Sequence, residues 1–298
     1  ADLENDFVSA LSEAKVTALS DKQIEAMGGD QFAAMSEAQI AAIDAKDLAK
    51  LSNADVNALS ADQFNALSAG QIKALTVGQV GALDDEIIQG MGETQIQALA
   101  DAQVKALTTG QMTKFSAEQI AMFSHEAAGG NINQVALFSV AQIQALSGEQ
   151  VAGFTAEQIG AMTVAQVGAF TEDQAASITT EQVGAMSAAK VAALNVDTFA
   201  ALSTDVIGAL STTPEAAGKP SQLTAVTAAQ IAAMSEEQVQ ALTDGEDGQI
   251  AALTNKQLAA FTNDQLNAMS TDQIGSITAG QVIALTVGSG SSGQINNL

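Results

Sequence analysis

The residues with the chemistry to hold a ligand or move a proton are few. Asp244-Gly245-Glu246-Asp247-Gly248 sets three carboxylates on a glycine-bearing turn, the oxygen donors that a hard cation such as calcium takes. The run lacks the spacing of a twelve-residue loop between two helices, so a solvated acidic turn is expected there. His125-Glu126 holds the single imidazole of the chain beside a carboxylate. No Ser stands in an evident His–Asp partnership, and the pair is expected to be loop. Gly129-Gly130 opens no phosphate loop, because no Lys-Ser/Thr follows it. The nine Met residues recur mostly at the apolar positions of a repeat, which marks them as core and not as metal ligands.

Missing residue types exclude more. The 298 residues contain no Cys, so disulfides, thiolate metal sites and Cys nucleophiles are ruled out. One His cannot form a multi-His centre, and without Arg there is no bidentate clamp for phosphate or carboxylate. No catalytic, cofactor-binding or metal-ligating residue is assigned, no cofactor is expected, and the chain is read as not an enzyme. Thirty-four acidic residues against ten Lys give a net charge of −24, which opposes nucleic acid. No run of about 18 apolar residues is present, so no membrane span is expected. The start, Ala1-Asp2-Leu3-Glu4-Asn5-Asp6, lacks the basic and apolar regions of a secretory signal. The acidic, Cys-free composition nevertheless fits an extracellular or cell-surface location.

The elements that position these residues come from an internal repeat of eight. Leu67-Ser68-Ala69-Gly70-Gln71-Ile72-Lys73-Ala74 is a clear copy, with positions a to h in order. The register predicts a repeat array over 1–123, an irregular break at 124–137, and a second array over 138–242 that is degenerate at 211–225. An irregular acidic loop follows at 243–252, then a third array over 253–287 and a flexible tail at 288–298. Together they read as one continuous domain.

An octad in one long helix would drift by roughly 80° per repeat at about 100° per residue, so its apolar positions would share no stripe. A β-solenoid disagrees with the Ala, Gln, Glu, Met and Leu content and with the lack of period 2. One short helix per octad fits. Ser or Thr at b with Gln at e is a capping box, as in Ser36/Gln39, Ser68/Gln71, Thr155/Gln158, Ser235/Gln238 and Ser270/Gln273. Asp and Glu at c or d suit the positive end of the helix dipole. Such helices are too short to stand alone, so they must stack. The expected fold is an all-α solenoid, a superhelix of very short capped helices with a, f and h facing one core. Position a alternates Phe138, Leu146, Phe154, Met162, Phe170, which suggests two octads per layer. The Gln ladder reads as capping, or as an exposed array for recognition or lateral assembly.

The octad resembles the Leu-Ser/Thr-x-x-Gln-Ile/Val-x-Ala arrays of large secreted bacterial surface and adhesin-like proteins. That resemblance covers nearly the whole chain and implies export and a structural or adhesive role. Ser147-Gly148-Glu149-Gln150-Val151-Ala152-Gly153-Phe154 is also similar to the opening helix of the repeat in bacterial plant-effector DNA readers. Those repeats are far longer and carry a base-reading loop that is missing here. The function expected is therefore a non-enzymatic extracellular structural protein that self-assembles into a filament, sheath or surface layer. Its main partner is then another copy of itself. The alternative is a binding or adhesion solenoid that presents an extended surface to a protein or glycan.

Overall fold

The computed structural model describes residues 5–125, 133–214, 216, 220–283 and 285. Among them every regular element is helical: short α-helices, one per octad, and a single 3-10 turn at Val135–Leu137. The expected all-α solenoid of short capped helices is what the chain forms. The tail at 288–298 lies outside the described residues.

Hydrogen bonding explains why each helix stops after four to six residues. In the helix Ala69–Ala74 the amide of Ile72, at f, donates to the carbonyl of Ser68, at b, over 3.0 Å. The amide of Leu75, the next a residue, donates back to the Ile72 carbonyl over 3.2 Å. Leu75 then turns extended (φ −56°, ψ 139°), and so does the next cap, Thr76 (φ −71°, ψ 156°). Two extended residues in succession end one helix and aim the next. The capping boxes expected at Ser36, Ser68, Thr155, Ser235 and Ser270 are all formed.

The chain divides into two compact units, residues 1–146 and 147–298. Within each, a helix packs on the third one after it. Asn5–Ser9 meets Gly29–Ala34 and Ala69–Ala74 meets Glu93–Ala98 in the first unit, and Ala156–Ala161 meets Thr180–Gly184 in the second. Glutamine bonds that join successive turns reach back 28 and 31 residues. A turn of the superhelix therefore holds between three and four octads. This corrects the two octads per layer suggested by the Phe138–Phe170 alternation: each bend redirects the chain by only a quarter to a third of a turn.

Positions a and f are buried, as expected, from Ile24 to Met269, while Leu11 and Leu19 at a in the first turn are half-buried. Position h is not their companion; most h alanines are half-buried, and the third interior position is e. The small g and h residues instead form the seam between turns. Asn57 Nδ2, at g, donates to the Ala82 carbonyl, at h, over 2.7 Å, and Thr17 Oγ1 does the same to Ala42 over 3.2 Å. At Gly168 a Cβ would come within 2.9 Å of the Ala193 carbonyl, so this seam is set by backbone approach.

The interruptions are insertions at one place in the octad, between the b cap and the e glutamine. Ser124 and Gln134 stand ten residues apart, Ser211 and Gln222 eleven, Thr243 and Gln249 six, where a regular octad has three. In all three the b amide still donates to the Gln Oε1, over 2.9, 2.9 and 3.1 Å. The f amide still reaches the b carbonyl, from Val135 to Ser124, Leu223 to Ser211 and Ile250 to Thr243. Residues 134–137 and 249–252, expected to be irregular, thus belong to regular octads. The stretch expected to be a degenerate octad at 211–225 is a whole octad carrying eight extra residues, which is why the count survives it. In the first unit the a rings of Phe115, Phe123 and Phe138 pack edge-to-face across the insertion, with centroids 5.3 and 5.0 Å apart.

Deleting Gly245, Glu246 and Asp247 joins Asp244 to Gly248 and restores a regular octad, with Thr243 three residues before Gln249. Thermal melting by circular dichroism should shift by no more than a few degrees, the effect of under about 1 kcal/mol. Loss of the helical signal would show that the loop is part of the fold.

Candidate functional surface

The most elaborate constellation in the chain is structural, and it is centred on glutamine. Gln111 accepts from the Thr108 amide on Oε1 (2.8 Å), and its own amide donates to Thr108 Oγ1 (3.1 Å). Its Nε2 donates to the carbonyls of Val80 (2.9 Å) and Leu83 (2.8 Å) in the preceding turn. Val80 is an f residue whose carbonyl already takes the Leu83 amide, so Gln111 fills the second lone pair. Leu83 is an a residue at a bend, where no helical amide arrives. The same pair of inter-turn bonds recurs at Gln79, Gln103 and Gln119 in the first unit. In the second it recurs at Gln182, Gln257, Gln265 and Gln281. Among the described residues no buried side-chain nitrogen or oxygen lacks a partner.

This corrects both readings of the Gln ladder. From Gln39 onward the e glutamines are buried, so they present no exposed array, and where they also reach the preceding turn capping is only half of what they do. A capping box accepts Glu as readily as Gln. A carboxylate has no proton for the bend carbonyls, and no Glu stands at any e position in this acidic chain. Two carboxylates do replace Gln, and both bond locally: buried Asp47 accepts from Lys50, and Asp55 accepts from its own Ser52 cap. The replacements in later turns donate or are apolar. Buried Lys190 sends Nζ to the carbonyls of Ile159 and Gly160, and Thr198 Oγ1 donates to the Phe170 carbonyl over 3.0 Å. Ile87 and Val206 pack there instead.

Positions b, c and d make the outer face, exposed in octad after octad and rich in Asp and Glu. Glu118, Glu181 and Glu237 sit at d, the second residue of their helices. Their carboxyls are held below the ordinary Glu range, first by the backbone amide of the same residue and then by the cap hydroxyls of Ser116, Thr179 and Ser235. Lysines at h reach carboxylates at c three octads earlier: Lys50 to Asp21, and Lys114 to Asp85 over 2.8 Å. The Lys50 ammonium lowers the pKa of Asp21. These pairs are exposed and add little to stability.

Of the candidate chemical residues, Asp244, Glu246 and Asp247 are exposed on their turn, where Gly245 takes a left-handed φ of 89° and its amide donates to Ser276 Oγ over 2.7 Å. Among the described residues no three His, Asp or Glu side chains converge as a metal site would need. His125 is half-buried beside Ser124, while Glu126, Gly129 and Gly130 lie outside the described residues. Eight of the nine methionines are buried at a or f, and Met122 is at h. Among the described residues no helix is long and apolar enough to cross a membrane.

Fold and surface together define an α-helical repeat protein. Two of its segments, residues 40–77 in the first unit and 250–287 in the second, match the family model of the ALTTAQ repeat. Positions h to e of such a segment read Ala252-Leu253-Thr254-Asn255-Lys256-Gln257. A search of curated proteins finds no match.

Gln111→Ala strands the Leu83 carbonyl and the Thr108 amide, empties the second lone pair of the Val80 carbonyl, and should cost about 2–4 kcal/mol in urea unfolding, from the loss of several buried hydrogen bonds. Gln144→Ala, on an exposed side chain, should stay within about 0.5 kcal/mol. Gln111→Glu keeps the cap but sets a charge against the Val80 and Leu83 carbonyls, which raises the pKa of the new carboxyl in the folded state. Its destabilisation should therefore be full near neutral pH. It should shrink as pH falls through that raised value, because the protonated acid can donate to one carbonyl. The opposite pH trend would refute the inter-turn role.

Proposed function

We propose that the chain is a non-enzymatic structural module of the cell exterior that associates with copies of itself into a filament, sheath or surface layer. The observation that carries this reading is the recurrence of one outer face at a fixed interval, since b, c and d are exposed in the same way turn after turn. Identical patches at regular spacing allow the same contact to be made many times, and contacts between unlike patches propagate instead of closing. The charge of −24 sets the condition for assembly. Carboxylates held below their ordinary pKa, such as Glu118, Glu181 and Glu237, keep the faces mutually repulsive even in mild acid. Screening that charge with salt, or bridging it with a divalent cation, brings the copies together.

A second reading, a binding solenoid, draws on the insertions at Ser211 and Thr243. They fall on the octads of Gln222–Ala225 and Gln249–Ala252, whose helices pack on each other, so two loops arise side by side. Capture of one protein or glycan at fixed stoichiometry, lost on deleting residues 245–247, would favour it.

Light scattering of the purified chain should rise on adding calcium or high salt, and negative-stain electron microscopy should then show extended polymers. Dispersed monomers under every condition would exclude the self-assembling reading.

A further inference from the structure

In the middle of the first unit one bend lacks its glutamine, and a groove opens there. Gln79 donates to the bend carbonyl of Leu51 over 2.8 Å, and Gln95 to that of Leu67 over 3.0 Å. The bend between them is Leu59. Its e partner in the following turn is Ile87, which is buried and brings no donor. Among the described residues nothing donates to the Leu59 carbonyl, although Leu59 is only 4% exposed. Leu59 lines a groove of 550 Å³ together with Ser36, Glu37, Ser60, Asp62 and Glu86. That volume is in the range of small-molecule sites. The three carboxylates come from the helices Glu37–Ala41, Ala61–Asn65 and Asp85–Gly90, which pack each on the next. All three are exposed, and no Lys lines the groove with them. They do not converge as the ligands of one metal ion would.

We propose that this groove binds a linear polyamine, with one ammonium donating to the Leu59 carbonyl in the place that a glutamine amide holds at other bends. An alkylammonium, like that of Lys, is charged at neutral pH and carries three donors. One ammonium satisfies the orphan carbonyl. The others pair with carboxylates set apart on successive turns, a spacing that suits separated charges on a flexible chain and not a single compact ion. The carbonyl fixes where the ligand sits, and Glu37, Asp62 and Glu86 select a cation over a neutral amide. All of these residues belong to the first unit, so the site needs no second copy and stands apart from self-association.

The test is isothermal titration calorimetry of the 298-residue chain with spermidine. It is run at about 0.15 M salt, where attraction to the diffuse negative charge is screened beyond about 8 Å. One saturable site per chain is expected. Ile87→Gln supplies the missing amide to Leu59 and leaves every surface charge in place. It should weaken binding at least about tenfold, the worth of one charged hydrogen bond. Glu37→Gln/Asp62→Asn/Glu86→Gln should abolish the site. Glu172→Gln/Asp205→Asn/Asp264→Asn removes the same charge from exposed positions of the second unit and should leave binding unchanged. Circular dichroism checks that Ile87→Gln keeps its helical signal; the triple variants, altered only at exposed side chains, decide the question independently. No saturable binding by the parent would overturn the proposal. So would equal weakening by the two triple variants, the mark of diffuse attraction alone, or a folded Ile87→Gln chain that binds as the parent does.

Discussion

A chain that bends every eight residues leaves a carbonyl stranded at each bend, and the structure depends on how that carbonyl is satisfied. At a the backbone has left the helix and the next helix has not begun, so no amide of the same segment points at the oxygen of Leu75 or Leu83. Water cannot serve inside a packed superhelix, and a buried orphan carbonyl is costly. Gln103 and Gln111 supply the missing donor from the following turn while accepting the amide of their own cap. One side chain therefore starts its own helix and completes the end of another. Helix formation and stacking are coupled through it, so a helix of four to six residues exists only as part of a turn.

The aliphatic core follows from the same geometry. With Gln at e, the interior is lined by a, e and f, and the long amide spans the gap that a larger apolar residue would otherwise fill. Small residues are left for the seam, where the asparagine at 57 and the threonine at 17 bond the facing backbone and glycine at 168 lets it approach. Edge-to-face phenylalanine rings carry the core across the point where the first insertion interrupts the octad.

Much of this was legible in the sequence. Period eight, the Ser/Thr…Gln spacing and the apolar a and f positions led directly to short capped helices in a stack. The second half of the glutamine's role was missed, although its signal was present: Glu recurs at c and d yet never stands at e, where the carboxylates are the shorter Asp47 and Asp55. Capping chemistry cannot produce that exclusion, because a carboxylate accepts the cap amide as well as an amide oxygen does. The alanine at h was misplaced because a small apolar residue suits a core and a seam equally. The eight extra residues after Ser211 were hidden by arithmetic, since an insertion as long as the repeat leaves the count unchanged. The number of octads per turn depends on the bend angle, which no residue type encodes by itself. The outer face held the least information, since the acidic residues at c and d serve helix starts, solubility and repulsion alike.

The three insertions show that this architecture measures distance through space and not along the polymer. Whether three, six, ten or eleven residues separate a cap from its glutamine, the two close the same hydrogen-bonded ring. The covalent path between them is free to lengthen, provided its ends return to the same pair of atoms. Each octad thus holds a port where chain of arbitrary length can be spliced without disturbing its neighbours, and lineages of such arrays can diversify there while the scaffold beneath stays the same.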